Sequence, residues 1–255
     1  MTNTKLHVLY WIELIFFISV IVLYGLLTYQ RNSVWKDELT LWSDVVQKSP
    51  VKSRPHNNLG VAYSERGLFD RAFIEIEEAL RLNPDSIKAR ISLGNVFLET
   101  GQTAQAILQF WEALKLKPDY SEVFVNIGNA YMREGDIEEA MAYYIKSISL
   151  NPDYPPAHVN FASAYGLKGL TEKAINEYNR ALMLTPDNPD IHFNLGVAYE
   201  QLAGRYELKA MVNEKKDIIK KAVSEYETTL RLNPHDLQAR RNLERLYEIA
   251  PVEIH

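Results

Sequence analysis

The side chains whose type and spacing could do chemistry in this sequence are asparagines that recur at a fixed interval. Five of six related positions are asparagine: Asn58, Ser92, Asn126, Asn160, Asn194 and, after a longer final interval, Asn242. Asparagine is a mediocre helix former, so helix propensity does not explain this choice. A carboxamide offers both donors and an acceptor, and it can therefore bind the N–H and C=O groups of an extended peptide.

Two more asparagines, Asn95 and Asn129, stand three residues after positions of this series and share its helix face. We call the whole set the asparagine ladder: Asn58, Asn95, Asn126, Asn129, Asn160, Asn194 and Asn242. Two interpretations stay open. The amides bind a peptide backbone along a groove, or they bond neighbouring helices and shape the stack.

Other residues with catalytic or metal-binding potential are sparse. His56, His158 and His192 share one repeat position, but packed helices lie about 8–10 Å apart, which favours packing over a shared metal. The sequence has no cysteine, which excludes disulfides, thiol catalysis and cysteine-bound zinc. It also has no phosphate-binding glycine loop, HExxH or G-x-S-x-G motif. We therefore predict no catalytic residues, no metal and no cofactor.

The elements that must position the ladder are marked by prolines. Five of them follow one another every 34 residues, and a sixth comes after 48: Pro50, Pro84, Pro118, Pro152, Pro186 and Pro234. Proline lacks a backbone N–H and restricts the residue before it, so each is predicted to follow the end of a helix. Ten residues after the first five prolines come small residues that suit a close helix crossing: Gly60, Gly94, Gly128, Ala162 and Gly196.

An aromatic residue stands three positions after each of these small residues: Tyr63, Phe97, Tyr131, Tyr165 and Tyr199. The period, the small residues and these aromatic residues resemble the tetratricopeptide repeat (TPR) family over about residues 53–250. The resemblance implies an all-α fold, a right-handed superhelix (α-solenoid) in which helix pairs stack because none buries its apolar face alone. It divides the chain into five repeats and a capping helix with a tail: 53–86, 87–120, 121–154, 155–188, 189–236 and 237–255. It also implies a scaffold rather than an enzyme.

The last repeat carries 14 extra residues between Gly204 and Ala222. Fourteen residues are close to four helical turns, so the pattern downstream keeps its face. We predict a lengthened second helix from about 205 to 232. Its apolar residues Leu208, Met211 and Val212 either fold back onto neighbouring helices or form a surface for a partner or a second copy.

The N-terminal stretch Leu6–Tyr29 is apolar and long enough to span a bilayer. It is followed by no small-residue cleavage site of the A-x-A type, so we predict an uncleaved, single-pass anchor over residues 1–30. Glu13 either lies among the lipid headgroups or is a functional carboxylate within the membrane. The flanking charges, Lys5 on one side and Arg31 and Lys36 on the other, nearly balance under the positive-inside rule.

The junction at residues 31–52 carries Trp35, Leu39, Trp42 and Val46 at helical spacing, which predicts a capping helix. Placed directly after a membrane helix, this segment resembles the junction in multi-span membrane glycosyltransferase-like proteins with TPR tails. That resemblance implies a repeat domain on the extracytoplasmic side. It does not imply transferase activity, because the chain lacks the other membrane helices and the acidic catalytic loops of such enzymes.

The net charge of −5 argues against nucleic acid as the main partner. The sequence therefore predicts a membrane-anchored TPR scaffold that binds protein or peptide segments in its concave groove. Two alternatives remain: an accessory TPR subunit of a membrane glycosyltransferase system, and a structural TPR protein that self-assembles into an oligomer.

Overall fold

The computed structural model describes residues 3–208 and 212–249, and these ranges form helices joined by short connections. Thirteen helices lie within them: α1 Asn3–Val34, α2 Glu38–Lys48, α3 Ser53–Glu65, α4 Phe69–Leu82, α5 Ile87–Glu99, α6 Thr103–Leu116, α7 Ser121–Glu134, α8 Ile137–Leu150, α9 Pro155–Leu167, α10 Thr171–Leu184, α11 Pro189–Leu208, α12 Val212–Leu232 and α13 Leu237–Ile249. The predicted all-α class is confirmed.

The turns between the helices follow from the glycines and prolines of the repeat. A glycine with positive φ follows the first helix of four repeats: Gly67, Gly101, Gly135 and Gly169, with φ between 70° and 85°. Glycine adopts this backbone conformation without the steric cost that a Cβ atom brings. Each second helix ends two residues before a proline, at Leu82, Leu116, Leu150, Leu184 and Leu232.

One compact unit spans Met1–Thr100 and contains α1 to α5. Its buried cluster lies where α4 packs against α3 and α5, around Ala72, Ile76 and Ala79, all 0% exposed. Gly60 allows α3 to approach this cluster, since a Cβ atom there would stand 2.4 Å from Cγ1 of Ile76. The small residue of the repeat therefore sets the closeness of the helix pair.

Helix α2 packs against α3 at the start of the repeats. Asp37 caps α2, because its carboxylate accepts a hydrogen bond of 2.9 Å from the backbone N–H of Thr40. The same carboxylate pairs at 2.9 Å with Arg66, which follows α3. These bonds, with the Thr40 contact the larger effect, hold the pKa of Asp37 below its ordinary value.

The other compact unit spans Gly101–His255 and contains α6 to α13. One cluster in it joins α7, α8 and α9 around Tyr144 and Phe161. A larger cluster extends from α9 to α13 and includes Tyr178 and Tyr226. Leu246 of α13 is 3% exposed within this larger cluster, so α13 covers the apolar face of the last helix pair.

The second helix of the last repeat is lengthened as predicted and ends at Leu232, but the predicted start near residue 205 is wrong. The helix begins at Val212, because the extra residues lengthen the first helix as well. Helix α11 has 20 residues against 14 in α7, and α12 has 21 against 14 in α8. Leu202 and Ala203 of α11 join Ile218 and Ile219 of α12 in one buried cluster. This shared cluster holds the lengthened ends of α11 and α12 together.

Helix α1 contains the stretch Tyr10–Tyr29, which is long and apolar enough to cross a membrane. Its large side chains are exposed within the unit, for example Phe16 at 63% and Ile21 at 69%. Apolar side chains exposed along 20 residues suit a lipid environment. By length and composition alone a signal sequence meets the same criteria.

Candidate functional site

The asparagine ladder divides into two groups according to the hydrogen bonds that its members make. Asn129 of α7 accepts two hydrogen bonds at one oxygen, from the hydroxyl of Tyr144 and from the amide of Asn160, both at 2.8 Å. The first bond joins α7 to α8, and the second joins α7 to α9. Asn129 and Asn160 therefore bond neighbouring helices, as one of the two interpretations of the ladder expected.

Asn242 of α13 also bonds a neighbouring helix, α12. Its amide donates to the hydroxyl of Tyr226 at 3.1 Å, and that hydroxyl donates to Glu200 at 2.7 Å. Arg245 donates to the other oxygen of Glu200 at 2.5 Å. Burial, and then the bond to the Glu200 carboxylate, raise the pKa of Tyr226 far above its ordinary value. We call Asn129, Asn160 and Asn242 the paired asparagines.

Three other members of the ladder, Asn95, Asn126 and Asn194, form the second group, which we call the open asparagines. Asn126 and Asn194 are half-buried and Asn95 is exposed. Within residues 3–208 and 212–249, no side-chain hydrogen bond engages any of these three amides. Their donors and acceptors face water and are available to a ligand. Asn58 stands between the groups, since it accepts a long bond of 3.4 Å from its neighbour Asn57.

A cavity of ≈ 450 Å³ opens between α3, α4 and α5, next to the open asparagine Asn95. Its apolar surface comes from Phe69, Ile76 and Val96. Its polar surface includes the amide of Asn95 and two carboxylates, Glu65 and Glu99, which stand 34 residues apart at equivalent positions of α3 and α5. This mixture of an apolar floor with a few polar groups is typical of sites that bind peptides or small molecules.

The three histidines of the shared repeat position are structural bridges. In each case Nε2 donates to the carbonyl oxygen of a repeat proline, at 2.8 to 2.9 Å, and Nδ1 lies 2.6 to 2.7 Å from a glutamate oxygen. The triads are Pro50–His56–Glu75, Pro152–His158–Glu177 and Pro186–His192–Glu225. Sequence reasoning missed the three glutamates, although the first two follow their histidine by the same 19 residues.

Arginine takes the place of histidine at two equivalent positions. Arg90 donates to the carbonyl of Pro84 at 3.0 Å, and Arg240 donates to the carbonyl of Pro234 at 2.8 Å. The prediction that these histidines pack rather than share a metal agrees with this arrangement. In the part of the chain that the structure describes, no group of three or more His, Cys, Asp or Glu side chains is placed to hold a metal ion.

The third repeat replaces the histidine–glutamate pair with two rings. Phe124 and Tyr143 occupy the equivalent positions and stack with their centroids 6.5 Å apart and their planes 16° from parallel. Tyr143 also stacks on Tyr131 at 5.4 Å. Burial, and then the nearby Tyr131, raise the pKa of Tyr143. The two positions thus change together, from a polar pair to an aromatic pair.

The predicted partner surface at Leu208, Met211 and Val212 stays a prediction. Met211 lies outside the described residues, and the side chains of Leu208 and Val212 do as well.

Helix pairs with glycine turns, close small-residue crossings and exposed amides define a helical-repeat scaffold, a class whose members bind other proteins. Family models of the tetratricopeptide repeat match residues 53–86 and 121–154, and a TPR repeat model matches residues 94–135 and 167–202. Together these matches cover about half of the chain. The chain belongs to the tetratricopeptide repeat family.

Solved structures show the same fold. TTC0263, a thermophilic TPR protein of Thermus thermophilus, is 24% identical with a TM-score of 0.62, over 77% of this chain and 100% of that one. A chain of the APC/C hetero-tetramer Cut9–Hcn1 is 22% identical with a TM-score of 0.59, over 84% of this chain and 46% of that one. The predicted TPR solenoid class is therefore confirmed.

A curated relative matches a shorter stretch. Protein O-mannosyl-transferase Tmtc3 of Drosophila melanogaster is 30% identical over 73 residues, which is 29% of this chain. The match spans only 8% of that protein's length.

Proposed function

We propose that this protein is a membrane-anchored TPR scaffold that binds an extended segment of another protein along the first helices of its repeats. The observation that carries the proposal is the open asparagines Asn126 and Asn194 at equivalent positions of α7 and α11. Their amides are exposed in part to water and make no bond within the described chain. Amides held on rigid helices bind peptide N–H and C=O groups without regard to the peptide's side chains.

The paired asparagines support the same proposal in another way. Because Asn129 and Asn160 join α7 to α9, they fix the spacing at which Asn126 is presented. A rigid array of donors and acceptors loses little conformational entropy on binding, which favours affinity. On this proposal, some asparagines of the ladder build the binding surface and others form its contacts.

The experiment uses the full chain in detergent micelles and an immobilised library of random 12-residue peptides. Replacing both Asn126 and Asn194 with alanine is expected to weaken binding by about 5-fold or more, since each lost hydrogen bond contributes about 0.5–1.5 kcal/mol. The melting temperature is expected to stay within a few degrees of the unchanged protein. Equal binding by the variant and the unchanged protein would refute a role for these amides.

Anchoring is the second part of the proposal, and the apolar stretch Tyr10–Tyr29 of α1 supports it. The full chain is expected to resist extraction from membranes by alkaline carbonate and to keep its N-terminus. A soluble, shortened mature form would identify α1 as a cleaved signal.

We also propose that the repeats face the extracytoplasmic side. Activity of a cytoplasm-only reporter fused to the C-terminal end would contradict that orientation.

The local match to Tmtc3, together with the junction of residues 31–52, favours one further candidate function. In this alternative the protein is an accessory subunit that serves a separate membrane glycosyltransferase. Crosslinking in intact membranes followed by mass spectrometry tests it. Recovery of a multi-span transferase would support the alternative, and recovery of soluble proteins alone would contradict it.

A further inference from the structure

We infer that the cavity between α3, α4 and α5 is a subsite for a tyrosine side chain of the bound segment. This inference rests on the proposed function, because it supposes that the ligand is a peptide. It adds a side-chain preference that the backbone-binding amides cannot supply. The cavity, at ≈ 450 Å³, lies within the range of about 300–1,000 Å³ that is typical of ligand pockets.

The cavity lies where the repeat pattern lacks a ring. One position of the second helices reads, from the first repeat to the last, Ile76, Phe110, Tyr144, Tyr178 and Tyr226. Of these five residues only Ile76 has no ring, and Ile76 lines the cavity. An isoleucine has no atoms that correspond to the far half of a phenol ring and its hydroxyl. The first repeat therefore has open space where the later repeats have a ring of their own.

The tyrosines of the later repeats show what a phenol bonds at this position. Each hydroxyl bonds a polar side chain of a first helix at 2.7 to 3.0 Å: Tyr144 bonds Asn129, Tyr178 bonds Ser163, and Tyr226 bonds Glu200. The hydroxyl of Tyr226 also accepts a bond of 3.1 Å from Asn242. The residues equivalent to Glu200 and Asn242 in the first two repeats are Ser64 and Ser92, and both line the cavity. A phenol in the cavity would therefore meet two hydroxyls where Tyr226 meets a carboxylate and an amide.

The polar groups of the cavity are available to such a ligand. Ser64, Ser92 and Asn95 line it, and in the part of the chain that the structure describes no side-chain hydrogen bond engages any of the three. Phe69 and Val96 supply apolar surface beside them. A tyrosine side chain combines a large apolar ring with one hydroxyl that needs a partner when it is buried. Phenylalanine would fill the ring space but would leave the two serine hydroxyls without the phenol as a partner.

A subsite in one repeat also fixes the register of the bound segment. A peptide that binds through backbone contacts alone could slide along the repeats or bind in either direction. The later repeats carry their own ring at the position of Ile76, so they do not offer a second space of this kind at that position. One tyrosine of the ligand would therefore mark which part of the segment lies against α3 and α5.

The test selects peptides from a phage-displayed library of random 12-residue sequences on the full chain in detergent micelles. The unchanged protein is expected to enrich tyrosine over phenylalanine. Ile76→Tyr copies the arrangement of Tyr226 and fills the cavity with the protein's own ring. This variant is expected to fold, to lose the tyrosine enrichment, and to bind the selected peptides about 10-fold or more weakly, as for the loss of a buried aromatic anchor.

A second variant removes the hydroxyls and keeps the ring space. Ser64→Ala with Ser92→Ala is expected to enrich tyrosine and phenylalanine equally. It should bind the selected tyrosine peptides about 2- to 10-fold more weakly, as for the loss of hydrogen bonds. The control Ser149→Ala with Ser224→Ala removes two hydroxyls from exposed positions outside the cavity and is expected to keep the tyrosine preference. If Ile76→Tyr does not fold, the serine variants decide the question.

The outcomes separate a failure of the subsite from a failure of the scaffold function. Asn126→Ala with Asn194→Ala is expected to lower recovery while the tyrosine preference remains. Peptides selected without a tyrosine preference would overturn the subsite and leave the scaffold function standing. A preference that survives in folded Ile76→Tyr, or in Ser64→Ala with Ser92→Ala, would do the same. Recovery of no peptide above background would overturn the scaffold function, and the subsite with it.

Discussion

Gly128 of α7 lies directly against the ring of Tyr144 in α8: a Cβ atom on the glycine would stand 2.5 Å from Cε1 of that ring. Gly196 lies against Tyr226 in the same way, at 2.7 Å. Carbon atoms cannot approach so closely, so the glycine decides how near the two helices of a repeat lie. The hydroxyl of each buried tyrosine therefore reaches an asparagine of the ladder: Tyr144 bonds Asn129, and Tyr226 bonds Asn242.

Replacing Gly128 with alanine is therefore expected to destabilise the protein by about 1–3 kcal/mol, because an over-packed site must shift ring or backbone. Gly166 of α9 provides the control, since a Cβ atom there would meet nothing within 4 Å. Gly166→Ala should be neutral or stabilising by up to about 1 kcal/mol through helix propensity. Urea unfolding of both variants measures the difference, and equal midpoints would show that the crossing is not tight.

Asn129 and Asn126 stand one helical turn apart on α7 and are expected to respond differently to alanine. Asn129→Ala leaves the Tyr144 hydroxyl and the Asn160 amide without their shared acceptor, which should cost about 1–3 kcal/mol of unfolding free energy. Asn126→Ala breaks no bond in the described chain and should change stability by less than about 0.5 kcal/mol. Thermal melts check both values. An early melt of Asn126→Ala would place it with the paired asparagines.

The buried histidine of the fourth repeat offers a test of the polar bridge. His158 is 3% exposed, and His158→Phe removes the partner of the Pro152 carbonyl and one of the two partners of the Glu177 carboxylate, which keeps its bond from Arg180. We expect a loss of about 1–3 kcal/mol, as for leaving buried hydrogen-bonding groups without a partner.

The third repeat supplies the compensating change for that variant. His158→Phe combined with Glu177→Tyr copies the Phe124–Tyr143 pair and should recover part of the loss. Chemical unfolding of the two single variants and the double variant gives the coupling free energy. Strictly additive losses would show that the two positions do not act together.

Alkaline pH is expected to destabilise the protein through its buried tyrosines. Burial raises the pKa of Tyr144 well above the ordinary value of 10.0. The folded state therefore keeps the phenolic proton longer than the unfolded state does. This stability is fully present below about pH 10 and is lost as the pH rises, because the unfolded tyrosine ionises first.

Tyr144→Phe removes one such group and should reduce that loss by about 1.4 kcal/mol for each pH unit above 10. Urea unfolding at about pH 8, 10 and 11, on either side of the ordinary tyrosine pKa, tests this in both proteins. Identical pH profiles would show that Tyr144 ionises as easily in the folded protein as in the unfolded one.

Much of the fold follows from spacing alone, because each repeat reuses one pattern of small residue, aromatic residue and proline. Gly128 and Pro152 could be assigned to a helix crossing and a helix end without knowing any partner. The division of the ladder into paired and open asparagines could not be predicted from spacing. Asn126 and Asn129 are the same residue type on the same helix face, and the positions of the Tyr144 hydroxyl and the Asn160 amide distinguish them.

The glutamates of the histidine bridges were missed for a related reason. Glu177 lies among other polar residues of α10, such as Asn179 and Arg180, and nothing in the sequence marks it as buried. Its burial depends on the approach of His158 from the preceding helix. The insertion was misread because a period of 3.6 residues is kept whether 14 residues extend one helix or two. The apolar residues Leu202 and Ala203 near the end of α11 were the sequence feature that could have indicated an extension of both helices.

The lengthened pair α11 and α12 also bears on the order in which the chain folds. The part of the buried cluster that joins these two helices pairs residues close together in sequence, such as Leu202 and Ile219, so little loop entropy opposes its formation. In a linear array, folding starts wherever local contacts are most favourable and then spreads to neighbouring repeats. Only α13 follows this pair in the described chain, so folding that starts here is expected to spread mainly back to the earlier repeats.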